Sequence, residues 1–199
     1  MDVVKVGGSI LGHAREVMAV LAAYDVLVVP GGGAFADAVR RIQRKTGLDD
    51  TAAHKMAILA MDQYGHFLSD VSGIPAYESL DGIRTPGILL PSALLKASDP
   101  FTPSWDVTSD TIACYIAKMA DADGFIILTD VDGIFIDGRL VDEISATELQ
   151  NLPETCVDTA LPGYLLEYKM DCRIVNGKDK NAVERALNGE PAGTIVRGK

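Results

Sequence analysis

The chain of 199 residues is short of cysteine and of positive charge, and it lacks long apolar runs. Its three cysteines, Cys114, Cys156 and Cys172, are odd in number and include no C-x-x-C pair. That argues against a disulfide framework and a thiolate zinc site, and it fits a reducing, cytoplasmic setting. Each is flanked by apolar or mixed sequence and reads as a small buried hydrophobe rather than a nucleophile. Lysine and arginine number 18 against 28 acidic residues, a formal net charge of −10. This balance argues against nucleic acid or an anionic membrane as a partner. It leaves phosphate binding open, because backbone N–H groups can supply local positive potential. No apolar stretch approaches the ~18 residues of a membrane span, and Met1-Asp2-Val3-Val4-Lys5 does not begin like a signal peptide. No two of the three histidines have metal-ligand spacing, and no metal-binding side-chain set is expected.

What is present is an alternation of strand and helix signals without repeats or an obvious linker. Strands are expected at Asp2–Val6, Asp25–Val29, Ile74–Tyr77, Gly87–Leu90, Gly124–Leu128, Arg173–Val175 and Thr194–Val196. Helices are expected over Arg15–Tyr24, from Phe35 onward, over Thr51–Val71, Thr108–Met119, Leu161–Tyr168 and Asp179–Leu187. The Phe35 helix places Phe35, Ala38, Val39 and Ile42 on one face. The next carries Met56, Leu59, Ala60, Gln63 and Phe67 along one stripe. Ile134–Val141 reads as a hairpin turning at Asp137-Gly138, and Ser145 with Glu148 forms a capping box. Non-alternating strands separated by helices predict an α/β fold: a three-layer α/β/α sandwich with an open, mainly parallel central sheet. One domain over residues 1–199 accommodates all of these elements. In such sheets ligands collect at the carboxyl ends of the strands.

The glycine clusters fall at those ends. Lys5-Val6-Gly7-Gly8-Ser9 runs from a strand into two glycines that let N–H groups approach an anion, with a lysine able to reach the same anion. Gly31-Gly32-Gly33-Ala34 joins the second strand to a helix start, which is a ready anion site; Asp37 and Arg40 follow on that helix. The same residues match the dinucleotide pattern G-x-G-x-x-A, but the chain enters a second helix where that fold requires a strand ending in an acid. Thr129-Asp130-Val131-Asp132-Gly133 follows the strand Gly124–Leu128 and suits Mg²⁺, ribose or a tight turn capped by aspartates. In Ser104-Trp105-Asp106-Val107-Thr108-Ser109-Asp110, Asp106 or Thr108 fits a helix cap, and Asp110 fits a partner for lysine or metal. His54, beside Lys55 near a helix start, can face an acceptor phosphate, whereas His13 and His66 are expected at the surface.

Taken in order, these clusters resemble the amino acid kinase family. The matching stretches are Lys5–Ser9, Val29–Gly33, Thr108–Asp110, Leu128–Ile134 and Gly193-Thr194-Ile195-Val196, spread over almost the whole chain. The resemblance implies an ATP-dependent phosphotransferase using Mg²⁺, with the acceptor over about residues 1–100 and the nucleotide over about 101–199. It implies catalytic roles for Lys5 and Asp110. Gly7, Gly8, Ser9, Thr129, Asp130, Asp132 and Gly133 would bind nucleotide and phosphate, and Gly31, Gly32, Gly33, Asp37, His54, Ser104 and Asp106 the acceptor. It also implies a homo-oligomer, a dimer or larger, through helices such as Thr51–Val71. The stretch Thr155-Cys156-Val157-Asp158 departs from many relatives, which carry Gly-Gly-Met-x-x-Lys there. Lys169 lies at the far end of the following helix and takes only a weak role. Within the family, the short length, His54–Gly65, Pro103–Asp110 and Val175-Asn176-Gly177 resemble the branch serving methanofuran biosynthesis. That branch implies a small phosphorylated acceptor, aminomethyl-furanyl-methyl phosphate. Another kinase of the family, acting on isopentenyl phosphate, uridylate or acetylglutamate, is one alternative, and a nucleotide-binding sensor or storage protein without turnover is the alternative of a different class.

Overall fold

Short runs of valine, isoleucine and leucine build the centre of the molecule. The computed structural model describes residues 1–199. β1 (Asp2–Val6) leads into a 3₁₀ turn, Gly8–His13, and then α1 (Ala14–Leu21). β2 (Val26–Pro30), α2 (Gly33–Thr46), α3 (Asp50–Ser72), β3 (Ala76–Tyr77), β4 (Gly87–Leu89) and α4 (Pro91–Ala97) follow. The chain continues through α5 (Ser109–Met119), β5 (Gly124–Thr129), β6 (Phe135–Ile136), β7 (Arg139–Leu140) and β8 (Glu143–Ser145). It ends with α6 (Ala146–Gln150), α7 (Leu161–Tyr168), β9 (Cys172–Asn176), α8 (Lys180–Leu187) and β10 (Thr194–Arg197).

Eight strands form one sheet in the order β3-β4-β2-β1-β5-β9-β10-β8, parallel except where β9 meets β10. Successive residues of each central strand face opposite cores. Val3, Leu27, Ile127 and Ile174 pack with α5, α6 and α7. Val4, Val28, Ile126 and Val175 pack with α1 and α8. Both faces are covered, which is why these strands read as unbroken apolar runs. Each such valine or isoleucine, fully buried, is worth roughly 1.5–3 kcal/mol. The three-layer, mainly parallel architecture expected from the sequence is therefore present.

α3 bridges the two cores, giving Ile58 and Met61 to one and Tyr64 and Leu68 to the other. Of the expected stripe Met56, Leu59, Ala60, Gln63 and Phe67, Ala60 is buried and Phe67 packs against the core, but Gln63 is exposed and Leu59 is 52% exposed, so the packing face is turned from it. Gly65 selects the face instead. A Cβ there would lie 2.6 Å from Leu90 and 3.2 Å from Pro30, so the helix seats closely on β2 and β4. Ile42, expected on the inner face of α2, is also exposed. The Asp137-Gly138 hairpin forms with both residues at positive φ, and the Ser145–Glu148 capping box is complete. The 3₁₀ turn, α4 and β8 were not expected. α4 begins at Pro91 directly after an apolar strand, and so hides in one continuous run. No helix is long and apolar enough to cross a membrane.

The strand order fixes where a ligand can sit. β1 is flanked by β2 on one side and β5 on the other, both parallel to it, so the order in which strands are added reverses at β1. A crevice opens at the carboxyl ends of strands at such a switch point.

Candidate active site

At that crevice the segments after β1 and β2 meet backbone to backbone. A Cβ on Gly8 would fall inside the Cα of Gly33, and one on Gly31 would lie 2.9 Å from the nitrogen of Gly8. Gly33 itself has φ +50, a conformation that favours glycine. Gly8, Ser9, Gly32 and Gly33 stand at helix starts, where N–H groups have no intrahelical acceptor. Gly7 and Gly31 differ: their N–H groups are used internally, donating to Leu128 O (2.9 Å) and Val6 O (2.8 Å).

Lys5 reaches up from β1 beside this seat and is 7% exposed. Its Nζ lies 2.6 Å from Asp110 Oδ1, in the first turn of α5. No other donor meets that oxygen. The backbone N–H of Asp158 donates to the other, Oδ2, at 3.2 Å. Asp158 is a second buried acid, and it caps two helices at once. Oδ2 accepts from Thr108 N, Thr108 Oγ1 and Thr111 N, while Oδ1 accepts from Thr111 Oγ1 and Leu161 N. Burial, and then the nearby charge of Asp110, push its carboxyl above the usual range, against the pull of the Thr111 and Thr108 donors.

Lys5, Gly8, Ser9, Gly32 and Gly33 open into a cavity of about 590 Å³. One wall is apolar, made by Ala53, Ala57, Ile58 and Met61 of α3 with Val107 and Ile112 opposite. Its rim is tied together by Trp105, whose Nε1 donates to Gln43 Oε1 at 2.6 Å while Arg40 stacks 4.4 Å from the ring centre. Gln43 in turn donates to Asp50 at 2.8 Å. His54 is buried on the same wall, with Nε2 3.1 Å from Asp99 Oδ2. On the side of β5 the wall is Thr129, Asp130 and Cys156. Burial, and then the charge of Asp110, push the Cys156 thiol up to about 11.

Of the residues singled out in the sequence, Lys5, Gly8, Ser9, Gly32, Gly33, Asp37, His54, Ser104, Thr129 and Asp130 line this one cavity. Asp110 stands behind Lys5. Asp106 is off the wall and ties its loop to Thr159 at 3.0 Å. Asp132 accepts from Asn176 at 2.7 Å, and Gly133 packs under Thr194, so both brace the turn. Lys169 lines a different cavity, with Asp2, Lys118 and Arg173. Sequence reasoning missed Asp158, Asp99, Gln43 and the apolar wall. Only Asp158 had a local signal, an acid three residues before the start of α7.

The site is thus a glycine-walled anion seat with a buried lysine, on a doubly covered parallel sheet. Residues 72–165 match the model of the amino acid kinase family. Along 96% of this chain and 94% of its own length, the [5-(aminomethyl)furan-3-yl]methyl phosphate kinase of Methanocaldococcus jannaschii is 35% identical. The uridylate kinase of Methanobrevibacter smithii is 25% identical over 99% of both chains. Among solved structures, uridylate kinase from Archaeoglobus fulgidus superposes with a TM-score of 0.77 at 20% identity, covering 98% of this chain and 100% of that one. UMP kinase from Bacillus anthracis gives 0.75 at 16%, covering 100% and 96%. The chain belongs to the amino acid kinase family. It is a kinase, a phosphotransferase of that fold.

Proposed function

We propose that this kinase transfers the γ-phosphoryl group of ATP to a small phosphate monoester, and that the acceptor is [5-(aminomethyl)furan-3-yl]methyl phosphate, giving the diphosphate. The observation that carries the transfer is the contact of Gly8 with Gly33 beside Lys5, two backbone anion seats touching each other. The acceptor assignment rests on the full-length similarity to the Methanocaldococcus jannaschii enzyme. The apolar wall of α3 suits a small flat body, and Asp37 and Asp50 offer carboxylates to an ammonium group. Three free thiols suit a cytoplasmic enzyme.

In this reading the acceptor phosphate rests on the N–H groups of Gly32 and Gly33, and His54 faces it. The donor phosphates rest on Gly8 and Ser9, with Thr129 and Asp130 toward the nucleotide. An acceptor oxygen attacks the γ-phosphorus in line, and ADP leaves. A phosphate monoester is already anionic near neutral pH (second pKa ≈ 6), so no strong base is required. Lys5 balances the charge that builds on the transferring group, and Asp110 holds its ammonium in place. One such preorganised donor is worth roughly 2.7–4 kcal/mol. No three His, Cys, Asp or Glu side chains gather to hold a metal. Mg²⁺ would come on the nucleotide phosphates, as it commonly does, with Asp130 offered from the donor side. When bound it would neutralise phosphate charge. A homo-oligomer built through α3 fits the exposed Leu59.

The test is ADP release with ATP and one acceptor at a time: the aminomethyl-furan phosphate, isopentenyl phosphate, UMP and acetylglutamate. The furan phosphate should give the highest kcat/KM. A higher value with another acceptor reassigns the substrate, and no release with any of them removes the reading.

A further inference from the structure

Taking ATP as donor, we infer that Lys178 supplies a second positive charge to its polyphosphate. The need for one follows from the cavity wall. Its cations are Lys5 and Arg40, and its acids include Asp37, Asp50 and Asp130. Lys5 is already paired with Asp110, and Arg40 is stacked on Trp105. A polyanion entering this space meets a wall with little uncommitted positive charge, so a further cation has to come from just outside it.

Lys178 is placed to do this. It sits on the turn between β9 and α8, which is pressed onto the carboxyl end of β5. The N–H of Gly177 donates to Thr129 O at 2.8 Å. A Cβ on Gly177 would lie 2.5 Å from Ile10 Cδ1 and 3.2 Å from Leu128 Cβ, so glycine lets the turn come this close without displacing either side chain. The backbone of residue 178 is fixed as well. Its N–H donates to Asn176 Oδ1 at 3.0 Å, and Asn176 Nδ2 is tied to Asp132 at 2.7 Å. The side chain is not fixed. Nζ stands 3.5 Å from Asp130 Oδ2, with both side chains about two-fifths exposed (39% and 42%). A pair that long and that wet holds weakly, and lysine carries its charge on a flexible four-carbon stem. Asp130 therefore keeps the ammonium at the cavity mouth, and a phosphate replaces Asp130 as its partner when nucleotide arrives. The plain alternative is a solvated surface lysine beside an acid, with no effect on nucleotide.

Calorimetric titration of the full chain with ATP and Mg²⁺ separates the two, using wild type, Lys178→Met and Lys178→Arg. Lys178→Met should weaken ATP roughly ten- to a hundredfold, the value of one charged contact. It should raise KM for ATP without moving KM for the phosphate acceptor, and leave the melting temperature of the ligand-free protein unchanged. Lys178→Arg should recover most of the affinity. ATP binding by Lys178→Met equal to wild type overturns the inference while leaving the kinase reading intact. Wild type that binds no ATP removes the donor assignment and this inference together.

Discussion

Replacing Gly7 with alanine tests whether the meeting of β1 and β5 sets the chemistry. Gly7 has φ −65 and ψ 145, an extended conformation open to alanine, so any effect comes from contact and not from backbone strain. The new Cβ would lie 2.6 Å from Leu128 O and 3.4 Å from Lys5 Nζ. Reaching ordinary contact with that oxygen requires roughly 0.8 Å of separation. The same oxygen accepts the Gly7 N–H at 2.9 Å, and this bond would be lost. The lost bond costs about 1 kcal/mol and the overpacking about 1–3 kcal/mol. Activity should fall alongside stability, because a misplacement near 1 Å can cost on the order of a hundredfold in rate, even in the molecules that remain folded. The assay is ADP release at saturating ATP, beside thermal unfolding of the same preparation. Gly12→Ala is the control, with nothing within 4 Å of its added Cβ, and should match wild type. A Gly7→Ala enzyme that turns over within threefold of wild type while folded refutes the reasoning.

Other consequences follow from neighbouring groups. Lys5→Ala should lower kcat on the order of a hundredfold or more with the fold retained by circular dichroism; near-normal turnover would remove Lys5 from the chemistry. Asp158→Asn turns an amide N–H₂ toward hydroxyl and N–H donors of α5 and α7, and should cost about 3 kcal/mol by urea unfolding. An unchanged urea midpoint would show that the double cap contributes nothing. The Cys156 thiol, at about 11 against an ordinary 9.0, should resist iodoacetamide at pH 8 and react faster as the pH rises toward 11. Cys114 is pushed up to about 12. Both thiols keep their protons longer in the native state than in the unfolded chain. Their contribution to stability is therefore whole below pH 9 and lost as pH climbs through about 11 and 12; an alkaline melting series flat to pH 11.5 would contradict this.

The central strands and their glycine ends were legible because both signals are local. A valine run predicts a strand whatever lies beside it, and Gly31-Gly32-Gly33 predicts a backbone that must come close to something. Which side of α3 packs was not legible, since apolar residues occur around much of that helix and only Gly65 distinguishes the seat. Asp158 and the Trp105–Gln43 bond were hidden for a different reason. Apart from the Leu161 N–H that Asp158 caps locally, their partners lie 47 to 62 residues away, so the tie to α5 and the rim bond exist only once the fold closes. Lys178 escaped notice in the same way, because its relation to Asp130 exists only once β9 lies beside β5.

Where Gly8 rests on Gly33, the parts that touch are main chain, and main chain is common to every sequence that keeps glycine there. Substitutions along the α3 wall or the Trp105 loop can therefore alter which molecule is admitted without redrawing the glycine seat beneath it. Diversification of acceptors is open to such a scaffold at the rim, while its floor stays closed to change.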